Sequence, residues 1–380
     1  MIVQKVKSCN YFLARECRSC PHLELSPEKE REFKSIADEK LWGEKAKWHW
    51  LEAPFYHRTK AKFAVGGSYD EPLLGYPDIH IGEVIDINEC PLHKPIIQRI
   101  AHEMLSLIKH RQLTPYDLRN SRGEFKYFHI ITNQEETEVI LRFVMRSLEA
   151  RERIQKAVND LQALFPQIVV ATINLQPQHK AVLEGEKEIF LTERKSICEN
   201  YNGMNFHIGP RSFFQVTPEM ANPLYLTVEK FIKENNIKSF FDLYCGIGGF
   251  ALHAARAGAM VLGGEINPEA ISYAQLNAQE LGLKEQATFM VMDADKNIEE
   301  KSFEAILVNP PRRGLSDSTI AYILKQKPEF FLYSSCSPEK QLQDWKKMEG
   351  YYQLVSREAY DMFPHTHHYE SLLIAKRIEK

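Results

Sequence analysis

The sequence predicts an α/β fold whose C-terminal half is a doubly wound, mainly parallel sheet, and three observations carry that expectation. Strand and helix patterns alternate from about residue 196 to the end. The strand SFFDLY runs into the glycine-rich turn of Asp242-Leu-Tyr-Cys-Gly-Ile-Gly-Gly249 and then into a helix. Glu265 closes the next strand about twenty residues on, where folds of this outline bind ribose hydroxyls.

With 380 residues the chain has room for two or three domains. Residues 1–55 form a cysteine-rich segment. After Pro27 it continues as a charged helical run, EKEREFKSIADEKLWGEKAKWHWLEA, with apolar positions at Phe33, Ile36, Ala37 and Leu41. Residues 56–195 mix the strand patterns KAKFAVGG, KYFHIITN, EVILRFVM and QIVVATINLQ with helices around 94–110 and 149–164, an α+β domain. In residues 196–380, SFFDLY is followed by the helix GFALHAARAG, the strand MVLGGEI and the helix PEAISYAQLNAQELG. The strands ATFMVMD, FEAILVN and EFFLYSS complete the order.

Composition excludes several classes. No apolar run approaches the roughly 20 residues that span a bilayer. The start, MIVQKVKSCNYF, lacks the apolar stretch of a signal peptide, so the cytoplasm is the expected compartment. A net charge of −3 means that any nucleic-acid contact must use a local basic surface. Arg58, Lys60 and Lys62 alternate in FYHRTKAKFAV and would share one face of a strand, either as such a surface or simply as a solvated face.

The seven cysteines point to metal or catalysis before disulfides. Cys9, Cys17, Cys20 and Cys90 supply four thiols, which suit structural zinc or an iron–sulfur cluster. The C-x2-C spacing is common to both, and unliganded thiols are the third reading. The C-x3-C-x2-C of a radical S-adenosylmethionine enzyme is absent.

Gly246, Gly248 and Gly249 let the backbone turn tightly and approach a ligand. The turn differs from the G-x-G-x-x-G that seats a pyrophosphate. Asn309-Pro-Pro-Arg-Arg-Gly314 ends the fourth strand, where such sheets bind ligands. Together these details favour S-adenosylmethionine over a dinucleotide. Cys336, in FFLYSSCSPEKQ, lies just past an apolar strand, and Glu370, in DMFPHTHHYESLLIA, just before the last one. Taken alone, they read as a packed thiol and a surface charge.

Taken together, C-x7-C-x2-C with a distant cysteine, SFFQV, DLYCGIGGF, NPPRRG, YSSCSP and FPHTHHYE resemble the RNA uracil-C5 methyltransferase family over essentially the whole chain. The resemblance implies a Rossmann-like S-adenosylmethionine-dependent methyltransferase domain at 196–380, with 56–195 as an RNA-binding domain. It also implies Cys336 as nucleophile, Glu370 as base, and Gln215, Tyr244, Glu265 and Asn309 around the cofactor. Asp293, in VMDAD, is a weaker candidate. Cys9, Cys17, Cys20 and Cys90 would hold a [4Fe–4S] cluster.

Within the family the chain most resembles the branch that makes 5-methyluridine in 23S ribosomal RNA without an N-terminal TRAM domain. Cys9 leaves no room for that domain, and Asn309 stands where the transfer-RNA branch usually has Asp. Transfer RNA and another 23S uridine are the alternative substrates. A non-catalytic iron–sulfur RNA-binding factor is the alternative of another class, and the presence of both Cys336 and Glu370 argues against it. NPPR is also similar to the NPPY motif of amino-methyltransferases, but Arg312 replaces the stacking aromatic there. His365, His367 and His368 diverge in direction and suit packing or RNA contact better than a metal. A monomer acting on RNA, away from membranes, is expected.

Overall fold

The structure, a computed structural model, describes residues 9–78, 83–117, 119–178, 183–296 and 301–379. The chain divides into two compact units. One runs to Cys20 and resumes over Ala53–Glu199; the other takes Pro21–Glu52 and Asn200–Lys380. The expected 1–55 segment is therefore not one body, for a reason given by its helix below.

The first unit is built on a seven-stranded sheet, in the order 83–86, 72–78, 60–67, 125–132, 139–145, 168–175, 187–190. The helices Pro95–His110 and Arg151–Leu164 bring Ile96, Ile100, Met104, Ile154 and Val158 into one apolar cluster with Phe128, Leu141 and Phe143. Arg151–Leu164 is the crossover between the parallel strands 139–145 and 168–175. The alternate positions of the central strands carry polar side chains that are also buried. Among them Arg142, 1% exposed, pairs with Glu188 at 2.7 Å and with Glu184. The basic stripe forms only in part: Lys60 and Lys62 alternate along one strand, and Arg58 lies outside it. Lys60 lies in the strand near Lys62 and Arg142, and burial, with those charges adding, pushes it down to about 7. Arg58 instead bridges to His93, and its charge is felt at Cys20 and Cys90.

The second unit holds an eight-stranded sheet, in the order 47–49, 352–360, 370–377, 330–335, 305–308, 239–243, 260–265, 287–291. The last five of these strands are parallel, and 370–377 runs antiparallel between 352–360 and 330–335. The chain enters this parallel region at 239–243, winds one way through 260–265 and 287–291, then crosses to 305–308. A topological switch thus opens between Leu243 and Val308, at the carboxyl ends where open sheets bind ligands. Phe241, Ile306, Phe331, Tyr333 and Leu373 fill the core beside it.

The helix Pro27–Trp42 starts at Ser26, whose hydroxyl accepts from the Lys29 amide, and stops at Gly43 in the left-handed region, φ +77°. The expected run beyond it instead forms the strand Lys47–His49. The helix also turns the opposite way to its apolar pattern. Phe33 and Ile36 are 51% and 57% exposed, while Glu30, Lys34 and Asp38, spaced four apart, face inward.

Polar partners explain the inversion. Lys34 Nζ lies 2.6 Å from Asp361 and 3.2 Å from Glu30. Asp38 accepts from Arg357 at 2.5 Å and from the Tyr369 hydroxyl at 2.7 Å, and Glu30 accepts from the His365 amide at 2.6 Å. These bonds, with the pairing of Lys47–His49 to Glu358–Tyr360, tie Pro21–Glu52 to the second unit. Among the described residues no helix is long and apolar enough to cross a membrane.

Replacing Lys34 by Ala leaves Asp361 and Glu30 buried without their cation. Urea unfolding should register a loss of about 3–5 kcal/mol, whereas Ile36→Ser should stay within about 0.5 kcal/mol of wild type.

Candidate active site

The antiparallel ladder brings Cys336 and Glu370 together. Strands 330–335 and 370–377 pair from Phe330 with Lys376 through to Ser335 with Ser371. One further step of that register sets Cys336 opposite Glu370. The two-residue period then turns Ser334 and Cys336 to the same face. Gln341 stitches the two strands from behind, donating to the carbonyls of Tyr333 at 2.6 Å and Ser371 at 3.1 Å.

Glu370 is 2% exposed and accepts a 2.5 Å hydrogen bond from Ser334 Oγ. Burial pushes its carboxyl up to about 7, against the opposing pull of that bond. Cys336 is half-buried. Burial raises its thiol, Glu370 raises it further, and the Arg312 guanidinium lowers it through charge and a hydrogen bond. Arg312 thus stands near the sulfur. Its loop is held by Asp344, which accepts from the Leu315 amide and from the Tyr333 hydroxyl, both at 2.9 Å. Gly314, φ +77°, is required there: a Cβ would sit 2.5 Å from Asp344 Oδ2.

The glycine turn occupies the switch point. The amides of Tyr244 and Cys245 donate to the Gly264 carbonyl at 2.9 and 3.0 Å, fixing the end of one strand to the next. Tyr244 itself has φ +86°, an uncommon conformation for a residue with a side chain. Asp242, fully buried, ties strand to helix by accepting from the Ala251 amide at 3.0 Å, while its other oxygen is unpartnered. Burial pushes its carboxyl up to about 7, against that bond and with Glu265 adding.

Glu265 Oε1 accepts from the Asn267 amide at 2.9 Å. The Phe213 carbonyl lies 3.7 Å from where a Cβ on Gly246 would stand, so the SFFQV segment passes over the turn, and Gln215 is buried within it. Thr217 follows and donates to the Met362 carbonyl at 3.1 Å. Asn309 directly follows strand 305–308. The four cofactor candidates therefore gather at the turn and the adjoining strand ends. Burial raises the Tyr244 hydroxyl, with Thr319 opposing. Asp293 stands off the end of strand 287–291, paired with Lys296 at 3.0 Å.

The four remaining candidates lie in the first unit. Cys9, Cys17, Cys20 and Cys90 are all partly buried. Burial pushes the Cys20 thiol up to about 12, with Cys90, Cys17 and Cys9 adding and Arg58 opposing, so the four share a neighbourhood. They are not drawn into a ligand set: among the described residues no group of three or more His, Cys, Asp or Glu is placed to hold a metal ion. Of the three histidines only His365 diverges, and His367 and His368 keep their rings together. His365 is buried, 3.6 Å from Glu30, while His367 and His368 are exposed with ring centres 5.2 Å apart.

Sequence reasoning missed the parts of Ser334 and Arg312. Ser334 was detectable, because a hydroxyl two residues before a strand-end cysteine shares its face. Arg312 was not, because its place near the sulfur depends on how Asp344 anchors the loop.

A family model for tRNA (Uracil-5-)-methyltransferase matches residues 278–378, and a methyltransferase-domain model matches 241–310. The 23S rRNA (uracil(747)-C(5))-methyltransferase RlmC of Xenorhabdus bovienii (strain SS-2004) is 38% identical over 373 residues, 96% of this chain and 98% of that protein. The Yersinia pestis (strain Pestoides F) protein of the same name is also 38% identical, with the same coverage. The crystal structure of Pyrococcus abyssi tRNA (uracil-54, C5)-methyltransferase in complex with S-adenosyl-L-homocysteine matches with a TM-score of 0.80 at 23% identity. It covers 94% of this chain and 85% of that one, and shows a shared fold.

Two substitutions test the electrostatics. Ser334→Ala should move the Glu370 carboxyl titration, followed by carbon-13 NMR, above about 7. Arg312→Met should shift the midpoint of Cys336 alkylation by iodoacetamide to higher pH. An unmoved midpoint would place the guanidinium out of reach of the sulfur.

Proposed function

This chain belongs to the RNA uracil-C5 methyltransferase family, and we propose on that footing that it methylates carbon 5 of the 23S ribosomal RNA uridine named for its relatives, position 747, using S-adenosylmethionine. It is an RNA uracil-C5 methyltransferase. The observation that carries the mechanism is the ladder register that faces Cys336 with Glu370, with Arg312 near the sulfur.

Carbon 5 of uracil is a weak nucleophile. Addition of the Cys336 thiolate to carbon 6 moves electron density onto the ring as an enolate, which makes carbon 5 reactive. Carbon 5 then takes the methyl group from the sulfonium, releasing S-adenosylhomocysteine. Glu370 removes the proton left on carbon 5, the 5,6 double bond re-forms, and the thiolate departs.

Arg312 offsets the burial that disfavours the thiolate. A carboxyl near 7 is well matched to proton abstraction at neutral pH, and Ser334 fixes its orientation. The methyl donor would be held by Gln215, Glu265, Asn309 and the turn after Asp242. Tyr244, at the start of that turn, would contribute its ring. The target base must leave its stack to reach the sulfur, which favours a loop nucleotide.

Cys9, Cys17, Cys20 and Cys90 would hold a [4Fe–4S] cluster, supported by the family resemblance and by four thiols in one neighbourhood. The cluster would take no part in the methyl transfer. It would hold the short helix Asn10–Leu13 against the loop at Cys90, where the Glu89 amide already donates to the Tyr11 hydroxyl at 3.1 Å. We take the enzyme to act as a monomer in the cytoplasm.

Cys336→Ser should abolish methyl transfer, and transfer at a near-native rate would sink the assignment. Glu370→Gln should stall after methylation and leave a covalent protein–RNA adduct, stable on a denaturing gel. In the wild type, the rate of product release from that adduct should fall tenfold per unit as pH drops below about 7, where Glu370 takes up a proton. Anaerobically purified protein should contain iron and inorganic sulfide in equal amounts, four of each; stoichiometric zinc without iron would remove the cluster from the proposal.

A further inference from the structure

The inverted helix leaves an aromatic side chain exposed whose position the fold alone does not explain. Phe33 is 51% exposed on a helix whose charged side is turned inward. It does not stand alone. Its ring meets His22 edge-on with centres 4.8 Å apart, His22 meets His367 at 5.5 Å, and His367 meets His368 at 5.2 Å. His367 and His368 are also exposed. His368 stands two residues before Glu370, which the strand register sets opposite Cys336, and the Arg312 charge is felt at both His368 and Cys336. A line of four rings therefore runs from the helix Pro27–Trp42 to the segment that delivers Glu370, entirely within the second unit.

From this geometry we propose that Phe33, His367 and His368 form a stacking ledge for the unpaired nucleotides next to the target uridine. The proposal rests on the reading of the site as an RNA methyltransferase. Three observations favour single-stranded RNA as the occupant. The line ends two residues before Glu370, the partner of the sulfur that must bond to the extruded base, so it lies in the path of a neighbouring nucleotide of the same strand. Its components are planar rings beside a guanidinium, which suit the π-faces of bases and the phosphates between them. The exposed rings of His367 and His368, 5.2 Å apart, are close enough for one unstacked base to touch both. The backbone under the ledge is fixed: the His22 amide donates to the His365 carbonyl at 3.0 Å, and Glu30 accepts from the His365 amide. The rings are thus presented in place before RNA arrives.

Methyl transfer to an RNA hairpin carrying the target uridine in its loop tests the proposal. Phe33→Ala should raise KM for the RNA roughly tenfold or more, leaving the affinity for S-adenosylmethionine and the thermal midpoint unchanged, and Phe33→Trp should restore KM. A hairpin with 5-iodouridine beside the target should photocrosslink to Phe33 or His367 in wild-type protein. If wild-type protein methylates the hairpin but Phe33→Ala leaves KM unchanged and no crosslink maps to these rings, the ledge is refuted while the enzymatic reading stands. Crosslinking of Phe33 to a second protein chain in place of RNA would refute it equally. If the wild type transfers no methyl group to any RNA, the enzymatic reading itself fails.

Discussion

The chemistry depends on the pairing of one strand. Strand 370–377 enters an otherwise parallel run antiparallel, between 330–335 and 352–360. Only an antiparallel neighbour can set the start of one strand beside the end of another. Cys336, leaving its strand, and Glu370, entering its own, become neighbours for that reason. A slip of one residue would turn Glu370 to the opposite face and separate base from nucleophile. The site needs both groups poised between protonation states, and burial does most of that work. It raises both the thiol and the carboxyl, while Arg312 and Ser334 each oppose the shift in one of them.

The second constraint is ionic. The segment from Asp361 to Tyr369, which delivers Glu370 to its place, is held by a charged stripe on a helix more than three hundred residues earlier. Lys34 takes Asp361 and the Phe363 carbonyl, Glu30 takes the His365 amide, and Asp38 takes Tyr369. Buried ion pairs are weak sources of net stability, because desolvation offsets most of their attraction. What they supply here is a defined position: each carboxylate or ammonium has few places where its buried charge is met. The geometry of the catalytic edge is thereby specified by groups that never touch the reacting atoms.

Much of this was legible in the sequence. The strand KAKFAVGG falls at Lys60–Gly67, and the alternation after residue 239 gives the parallel sheet, because one strong period governs each segment. The helix Pro27–Trp42 was found, but its orientation was not. Hydrophobic periodicity assumes that apolar side chains face inward, and here five distant polar groups prevail over Phe33 and Ile36. The basic stripe keeps Lys60 and Lys62 but loses Arg58, which precedes the strand and turns toward the cysteines. The pairing of Cys336 with Glu370 rested on resemblance alone. Register between strands that are not joined by a hairpin leaves no local mark on the chain.

The early helix and its late partners also set an order of events during synthesis. Lys34 and Asp361 are separated by 327 positions. A ribosome adding about 5–20 residues per second needs roughly 16–65 seconds to make the second after the first. Throughout that interval Glu30, Lys34 and Asp38 can only be solvated, and the helix has no apolar inner face with which to dock early. The catalytic unit closes around its first-made helix only when its last-made strand appears, so a nascent chain cut short near its end would leave the helix undocked and the base undelivered.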